Sequence, residues 1–412
     1  MDHRDTNALI IGRGISGKGV AGVLAALGAR TRIYSGANVP RGAEKYDTVY
    51  VSPGLPPTHP IFAFAASRGI RISSDIGLGA ELNTAPVTAV TGTNGKTTVV
   101  GMLSGIYRAA DVKAVVCGNV GRSFAECAYS GGYERVVLEL SSFQLLHARP
   151  LKAHIACVLN ITPDHLDYHG GMEAYVRAKL RIAEGQTRSD YLLVPAELDI
   201  SGINGRPEVL REGNDFYADE YLTVLGRRVM PVSALAVKGE HNVVDALFAA
   251  AAAYADGIRE DAIAYALSRF RTGAHRICEI GRCNGTRYYD DSKGTNPAAT
   301  LAAAKCMRGR CALIAGGSDK GFDYVPLFHG LPDNVTAVFL TGGNAEKMAE
   351  AAALCGKAAE VCGTLRECVE RCARGGYDSV LFSPASASFD RYADYRERGR
   401  AFEREVGRII GS

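Results

Sequence analysis

The sequence has no long run of charges of one sign: 47 lysines and arginines nearly balance 44 aspartates and glutamates, for a formal net charge of +3. A basic excess this small does not indicate a nucleic-acid or membrane partner, and it is equally compatible with binding an anionic small molecule. No apolar stretch is long enough to span a bilayer without charges. The Ala-rich run at 246–255 is short and lies between Asp245 and Asp256, which predicts a buried helix.

Cysteine pairs of the CxxC type are also missing, although the chain has eleven cysteines. Cys368 and Cys372 lie one helical turn apart, but no second ligand pair follows, so two small core thiols are a better interpretation than a zinc site. The N-terminal segment has no basic region leading into an apolar stretch, as a secretory signal would. We therefore expect reduced thiols in a cytoplasmic protein.

A chain of 412 residues is too long for one ordinary core. Apolar, β-branched runs alternate with helix-like stretches, which is typical of parallel sheets in α/β folds. We predict three domains: a Rossmann-like domain at 1–85, a P-loop ATPase-like parallel sheet at 86–273, and a second Rossmann-like domain at 274–412. The stretch 199–237 is predicted to form irregular loops on the surface. A final helix is predicted near Phe389.

The most specific motif, GTNGKTT, lies between a predicted strand and a predicted helix. Its glycines let the backbone wrap a phosphate chain, Lys96 adds a positive charge, and Thr97 can give a hydroxyl to Mg²⁺. Val90 stands where the general P-loop has its first glycine, so this is not the common nucleotide-hydrolase version. A tight structural turn is the alternative. The predicted phosphate-binding residues are Gly92, Thr93, Asn94, Gly95, Lys96, Thr97 and Thr98.

Ionisable residues follow further predicted strands, at the edge of a parallel sheet where ligands bind. Glu139 ends an apolar strand and is a candidate Mg²⁺ ligand. His165 lies in the segment NITPDHLDYH, which predicts either a substrate or second-metal contact or an ordinary polar loop. Arg276 could clamp a γ-phosphate. Asp291 lies between a strand and a helix that Pro297 is predicted to begin.

Three turns and one helix give weaker signals. The loops GGSDKG, with Lys320, and SPASAS, ending at Ser388, could hold an anionic amino acid or could be plain turns. The GxGxxG turn at 12–17 lacks the acid that a dinucleotide site needs after the second strand, where Ser35 stands. A glycine turn that binds a diphosphate remains open. Lys179 lies in a helical pattern, where a lysine is by default a solvated charge.

Nine motifs taken in order resemble the Mur ligase family: GTNGKTT, LELSSFQL, NITPDHLDYH, YVRAKLRI, GEHNVVDAL, HR, DDSKGTN, GGSDKG and SPASASFD. The similarity covers essentially the whole chain. It implies an ATP-dependent ligase that joins D-glutamate to UDP-N-acetylmuramoyl-L-alanine through an acyl phosphate, in peptidoglycan precursor synthesis. It also implies two Mg²⁺ ions, carbamylation of Lys179 by CO₂, a monomer, and neither a nucleic-acid partner nor a membrane span.

The resemblance further assigns roles to individual positions. The implied catalytic residues are Lys96, Glu139, His165, Lys179 and Arg276. The implied metal ligands are Thr97, Glu139, His165 and Lys179. The implied ATP contacts beyond the P-loop are Asn242, Asp245, Arg276 and Asp291. The implied substrate contacts are Ile15, Ser16, Ser52, Gly54 and Asn119 for the UDP-sugar, Ser141 and Gln144 beside them, and Thr295, Lys320, Ser388 and Tyr395 for glutamate.

Three positions depart from the family pattern. Ser35 replaces an acid that meets the uracil, Asp245 replaces an Asn near ATP, and Tyr395 replaces a Phe near glutamate. The added hydroxyl of Tyr395 bears on amino-acid choice, and the sequence leaves open which stereoisomer is used.

Four alternatives are weighed against the D-glutamate ligase. A sibling ligase that adds another amino acid remains open. The N-terminal domain and the SSFQ run argue against a folate–polyglutamate-like ligase. Val90 and the C-terminal motifs argue against a P-loop phosphotransferase or switch. The intact set Lys96, Glu139, His165 and Lys179 argues against an inactive UDP-sugar-binding module.

Overall fold

The structure is a computed structural model, and it describes residues 4, 6–148 and 151–411. The chain folds into two compact units, Met1–Ala236 with Asn242–Phe270, and Val237–His241 with Arg271–Ser412. The predicted α/β class is confirmed, because each unit is built on parallel sheets covered by helices. The first two predicted domains lie together in the first unit, and the three domain boundaries stay a prediction.

The N-terminal part of the first unit is a four-stranded parallel sheet. Its elements are β1 (Asn7–Ile11), α1 (Ile15–Ala26), β2 (Arg30–Tyr34), β3 (Thr48–Val51), α2 (Pro60–Arg68), β4 (Arg71–Ser73) and α3 (Asp75–Leu82). The strand order is β2-β1-β3-β4. Nearly all of β1 and β3 is buried, as expected of parallel strands covered on both faces. Their last residues, Ile11 and Val51, are paired, so the turns that follow lie side by side.

The central part of the first unit holds a six-stranded parallel sheet. Its elements are β5 (Val87–Thr91), α4 (Lys96–Ala109), β6 (Ala114–Gly118), α5 (Phe124–Ser130), β7 (Arg135–Glu139), α6 (Ser142–Leu146), β8 (Ile155–Val158), α7 (Leu166–His169), α8 (Met172–Leu180), β9 (Tyr191–Val194), β10 (Glu208–Arg211), β11 (Phe216–Ala218), β12 (Tyr221–Val224), β13 (Arg227–Pro231), α9 (Glu240–Ala255) and α10 (Glu260–Leu267). The order β10-β9-β8-β5-β7-β6 puts β5 between β8 and β7. The loops after these three strands therefore share one edge.

The stretch 199–237 contains four strands, so the prediction of irregular excursions is wrong. β10 extends the central sheet, and β11, β12 and β13 form a separate antiparallel sheet. Leu222 and Met230 are paired and buried, and the Phe216 ring lies 5.0 Å from the Phe248 ring, edge-on. The buried positions do not alternate strictly with exposed ones, since Val229 and Met230 of β13 are both buried, so no clear two-residue period marks these strands in the sequence.

Helix α9 carries the Ala-rich run that the sequence predicted to be buried. It begins at Glu240, two residues before the predicted start at Asn242, and Ala246–Ala253 are buried. The prediction of a buried helix is confirmed. Among the described residues, no helix has both the length and the apolar character needed to cross a membrane.

Asp75 joins the two parallel-sheet parts of the first unit. Its carboxylate lies at the start of α3 and accepts hydrogen bonds from Ser123 Oγ (2.5 Å) and from the N–H groups of Phe124 (3.1 Å) and Ala125 (3.0 Å). These groups open α5, so Asp75 caps a helix of the central part from the N-terminal part. Burial raises the pKa of the Asp75 carboxyl, and the three donors partly offset that effect.

The second unit is a six-stranded sheet with helices on both faces. Its elements are β14 (Cys278–Cys283), β15 (Thr286–Asp290), α11 (Pro297–Lys305), β16 (Cys311–Ala315), α12 (Val325–Gly330), β17 (Val335–Leu340), α13 (Ala345–Leu354), β18 (Ala359–Val361), α14 (Leu365–Arg374), β19 (Ser379–Phe382) and α15 (Tyr395–Ile410). The order is β14-β15-β19-β16-β17-β18, and β14 alone among these strands is antiparallel to its neighbour. Three single-turn 3₁₀ helices in the first unit complete the described helices, at 43–45, 181–183 and 232–234.

Two local predictions for the second unit have different outcomes. Cys368 and Cys372 are buried in the core on α14, as the core-thiol interpretation expects. The last helix begins at Tyr395 and not near Phe389, because the Asp394 carboxylate accepts from the N–H groups of Arg396 and Glu397 and caps the helix there.

Candidate active site

The GTNGKTT segment forms a tight loop between β5 and α4. Gly95 has φ +83°, and a Cβ there would lie 2.2 Å from Asp245 Oδ1, so both backbone conformation and space require glycine. The Asn94 N–H donates to Asn160 Oδ1 (2.9 Å), and Asn160 Nδ2 donates to the Asn94 carbonyl (3.2 Å). The loop after β8 thus holds the loop after β5 in place.

The side chains of Thr93 and Lys96 make further hydrogen bonds that hold this loop. Thr93 Oγ1 accepts from the Thr162 N–H (3.0 Å) and shares a hydrogen bond with the Tyr175 hydroxyl (3.1 Å). Lys96 Nζ donates to the carbonyls of Gly92 (2.7 Å) and Thr93 (2.9 Å). The ammonium group is therefore held over the loop, beside a helix N-terminus that favours anions.

Glu139 provides a buried carboxylate at the same sheet edge. It ends β7, is paired with Val90 of β5, and is 1% exposed. Its Oε1 accepts from Asn119 Nδ2 (2.8 Å), whereas its Oε2 is buried with no hydrogen-bond partner among the described residues. A buried carboxylate oxygen without a donor is costly, and a divalent cation would offset that cost. Half-buried Thr97, in the first turn of α4, is the hydroxyl that could join it.

His165 lies on the loop after β8, next to the P-loop strand. It has φ +55°, a left-handed conformation that costs a residue with a Cβ about 1–2 kcal/mol. Its Nε2 is 3.6 Å from Asp164 Oδ2, and the Phe143 ring lies edge-on at 4.8 Å. Strained residues of this kind are held by their surroundings and cluster at functional sites.

Lys179 is not the solvated charge that a helical lysine usually is. Its side chain is 1% exposed, its Nζ donates to the Gly92 carbonyl (2.8 Å), and the Tyr175 ring lies 4.7 Å away. Burial lowers its pKa well below the ordinary value, the nearby Lys96 charge lowers it further, and Asp164 partly offsets both. A lowered pKa favours the neutral amine, which is the nucleophilic form of a lysine.

Other predicted residues of the first unit have structural partners. Asn242 and Asp245 on α9 are buried, and Asp245 is the neighbour of Gly95. Ser141 and Gln144 bond each other across the first turn of α6, through Gln144 Oε1 with the Ser141 N–H (2.9 Å) and Ser141 Oγ with the Gln144 N–H (3.3 Å). This is a capping box.

The N-terminal glycine turn and the turn after β3 form a second small site. Gly12 has φ +112°, and a Cβ there would lie 2.2 Å from Ser52 Oγ. That hydroxyl is buried and has no hydrogen-bond partner in the described part of the chain. Ile15 is 67% exposed at the start of α1, Ser16 is half-buried, and the space around Gly54 is open.

In the second unit, Asp291, Thr295, Lys320 and Ser388 lie on loops after β15, β16 and β19, whereas Arg276 precedes β14 and Tyr395 begins α15. Asp291 Oδ2 accepts from Ser383 Oγ (2.7 Å). Burial raises the pKa of Asp291 to about 7, an effect that Ser383 and Arg276 partly offset. The ring of Tyr395 lies 3.9 Å from Lys293 Nζ. The other predicted side chains here are half-buried Thr295, half-buried Lys320 and buried Ser388.

Arg398 is a residue that the sequence interpretation missed. It is 2% exposed, and its guanidinium donates to the carbonyls of Ala387 and Ser292 (both 2.9 Å) and to Ser292 Oγ (3.1 Å). It ties the loop after β15 to the loop after β19, and burial lowers its pKa to about 10. Its position three residues after Tyr395, facing the core with Phe402, was the available signal.

Two family models match this chain: the Mur ligase middle domain at residues 90–207, and the Mur ligase glutamate ligase domain at residues 275–386. The UDP-N-acetylmuramoylalanine–D-glutamate ligase of Rubrobacter xylanophilus is 40% identical over 405 residues, 95% of this chain and 91% of that protein. The protein of the same name from Caldanaerobacter subterraneus is 32% identical, over 98% of this chain and 99% of that one. This chain belongs to the Mur ligase family.

Solved structures of Mur ligases have the same fold. MurF from Acinetobacter baumannii has a TM-score of 0.64 at 21% identity, covering 82% of this chain and 79% of that one. UDP-N-acetylmuramate-alanine ligase MurC from Thermotoga maritima has a TM-score of 0.63 at 19% identity, covering 98% and 100%. The resemblance found in the sequence is confirmed, and with it the assignment to ligases rather than to P-loop switches.

The raised pKa of Asp291 in this Mur ligase predicts a pH-dependent stability. Its ordinary pKa is 3.8 and its folded value is about 7, so the folded state binds more protons between these values and stability falls as pH rises through that window. We expect the second unit to lose up to about 4 kcal/mol from pH 4 to pH 7. Thermal unfolding of wild type and Asp291→Asn across this range measures the difference.

The control for this pH prediction is Asp333→Asn, which changes an exposed carboxylate of the same unit. It should follow the wild-type profile, whereas Asp291→Asn should show a flatter one. An unchanged decline in Asp291→Asn would assign the pH dependence to other groups.

Proposed function

We propose that this chain is an ATP-dependent ligase that joins D-glutamate to UDP-N-acetylmuramoyl-L-alanine in peptidoglycan precursor synthesis. The arrangement around Gly92 carries the proposal, because three features meet at one sheet edge: the GTNGKTT loop, a Glu139 carboxylate oxygen that has no hydrogen-bond partner among the described residues, and the buried Lys179 amine, which donates to the Gly92 carbonyl. Relatives of nearly the same length bear the name of that activity.

The first chemical step is attack of the substrate carboxylate on the γ-phosphate of ATP, which forms an acyl phosphate and ADP. The N–H groups of the loop at 92–98 and the Lys96 ammonium hold the phosphates and offset the charge that develops. Arg276 and Asp291 are also proposed to contact ATP. Two Mg²⁺ ions, when bound, supply further charge neutralisation.

The residues proposed to hold these ions are Thr97 and Glu139 for one, and His165 with carbamylated Lys179 for the other. Buried Lys179 suits carbamylation, because its neutral amine can attack CO₂. A nitrogen–carbon bond forms, one proton leaves, and the amine becomes a carboxylate. This change provides a buried oxygen ligand of the kind that Mg²⁺ prefers.

In the second step, the amine of glutamate attacks the acyl phosphate, a tetrahedral intermediate collapses, and phosphate leaves as the amide forms. Thr295, Lys320, Ser388 and Tyr395 are proposed to hold the glutamate. Arg398 supports this role indirectly, because it fixes the loop that contains Ser388. No covalent enzyme intermediate is needed.

The N-terminal turn is proposed to take the UDP end of the substrate. Two features support this role: the Ser52 hydroxyl, which is buried and has no partner among the described residues, and the exposed start of α1 at Ile15 and Ser16. A diphosphate binds well to a helix N-terminus with a hydrogen-bond donor nearby.

We propose that the protein acts as a monomer in the cytoplasm.

Phosphate release with UDP-N-acetylmuramoyl-L-alanine and a panel of D- and L-amino acids tests the proposed function. We expect release to require ATP, Mg²⁺, the UDP-sugar and D-glutamate together. Preference for another amino acid would make the chain a sibling ligase. Release without the UDP-sugar, or failure to trap a phosphorylated intermediate in single-turnover experiments, would contradict the scheme.

A further inference from the structure

One hydrogen bond joins the turn after β3 to the loop after β8. The turn Ser52–Leu55 is closed by the Leu55 N–H, which donates to the Ser52 carbonyl (3.1 Å). The carbonyl of Leu55 accepts from the hydroxyl of half-buried Tyr168 at 2.8 Å.

The ring of Tyr168 belongs to an aromatic cluster around His165. Phe143 lies edge-on to Tyr168 at 4.5 Å and edge-on to His165 at 4.8 Å, and it stacks on His169 at 5.5 Å. His169 Nε2 is fixed in turn by Ser142 Oγ (2.9 Å). The same cluster therefore contacts both the strained His165 and the tyrosine that reaches the turn after β3.

The helix that carries Tyr168 and His169 is too short to be stable by itself. α7 has four residues, and an isolated turn of helix is unstable without tertiary contacts. His165 precedes it in a left-handed conformation that its surroundings must maintain. The position of His165 consequently depends on the cluster and on the bond from Tyr168 to Leu55.

We propose that Tyr168 is a positioning residue that couples the turn Ser52–Leu55, proposed to bind the UDP-sugar, to the loop after β8 that contains the proposed metal ligand His165. Its hydroxyl fixes Leu55 beside Ser52, and its ring, through Phe143, fixes His165. The inference rests on the proposed function, which gives Ser52 to the UDP-sugar and His165 to a divalent cation. Binding at either place then favours the ordered form of the other, and such coupling is reciprocal.

Tyr168→Phe removes the donor and keeps the ring. We expect the Kd for UDP-N-acetylmuramoyl-L-alanine, measured by calorimetry without metal or ATP, to rise about fivefold, the effect of one neutral hydrogen bond. Mn²⁺ binding, followed by electron paramagnetic resonance with a non-hydrolysable ATP analogue, should be tightened by the UDP-sugar in wild type and much less in the variant. KM for ATP and for glutamate should change less than twofold.

Two comparisons make this test decisive. Tyr217→Phe changes an exposed tyrosine of the small antiparallel sheet and should behave as wild type in every measurement. Tyr168→Leu also removes the ring and should weaken Mn²⁺ binding even without the UDP-sugar. Thermal unfolding of each variant confirms that it is folded.

The inference fails if wild type is an active ligase but Tyr168→Phe keeps the wild-type Kd and the wild-type effect of the UDP-sugar on Mn²⁺. It also fails if the UDP-sugar has no effect on Mn²⁺ binding to wild type. A wild-type chain that binds UDP-sugar and Mn²⁺ but makes no amide bond contradicts the proposed function instead, so the two failures are distinct.

Discussion

Lys96→Ala is expected to reduce ligation by about a thousandfold or more while the protein stays folded. In the structure the Lys96 ammonium is held over the loop by the carbonyls of Gly92 and Thr93, where an anionic phosphate chain would replace these weak partners. Removing one preorganised donor from a developing anion typically costs two to three powers of ten, and Lys96 adds a full charge to the donor. Initial rates of phosphate release at saturating substrates measure the loss.

The matched control for Lys96→Ala is Lys113→Ala, which removes an exposed lysine of the same sheet domain. It should keep at least half of the wild-type rate, because exposed charges contribute little to structure. Circular dichroism and thermal unfolding establish that both variants are folded. Full activity of Lys96→Ala would refute the assignment of the loop at 92–98 to phosphate binding.

The P-loop was predictable because its chemistry is local. The glycines, the lysine and the threonines of GTNGKTT act within one strand–loop–helix unit, so their spacing along the chain already describes their geometry. The same holds for the helix that Pro297 is predicted to begin: α11 starts there, and the preceding Asn296 side chain caps it by accepting from the Ala299 N–H. Features that depend on neighbours in sequence can be read from sequence.

Features that depend on packing could not be predicted this way. Glu139 was found, but its hydrogen bond with Asn119 was not predicted, because that contact joins the ends of two neighbouring strands. The hydrogen-bond partners of the Asp75 side chain lie at least 48 positions away along the chain. Those of the Arg398 side chain lie at least 11 positions away. Their sequence neighbourhoods carry no sign of those bonds, and only the pairing of strands and helices creates them.

The stretch 199–237 shows a different limit. Its strands are short, their buried positions do not alternate strictly with exposed ones, and the stretch is rich in Gly, Arg and Glu, so its composition resembled a surface loop. A short antiparallel sheet with one solvent-exposed face has few apolar positions per strand. The two-residue period that would identify each strand is therefore hard to recognise in the sequence. The residues concerned are not near the P-loop edge in the sheet order, so this error leaves the site assignment unchanged.

Lys179→Ala is expected to reduce ligation by at least about a hundredfold, because it removes both the buried amine and the carboxylate that CO₂ would make of it. The Lys179 amine contacts the Gly92 carbonyl and the Tyr175 ring, and burial together with Lys96 disfavours its charge, an effect that Asp164 partly offsets. Since the neutral form is the one that reacts with CO₂, wild-type activity should fall when dissolved CO₂ is removed and recover on adding bicarbonate.

Direct detection separates carbamylation from a merely structural role of Lys179. With ¹³C-bicarbonate, wild type should show a carbamate resonance that Lys179→Ala lacks and that the exposed control Lys152→Ala retains. Acidification should remove the resonance, because protonation of the amine reverses the reaction. Lys96→Ala should also weaken it, since losing the neighbouring charge lets the pKa of Lys179 rise. Full activity in CO₂-free buffer, with no labelled carbamate, would leave Lys179 as a buried amine that supports Gly92 and nothing more.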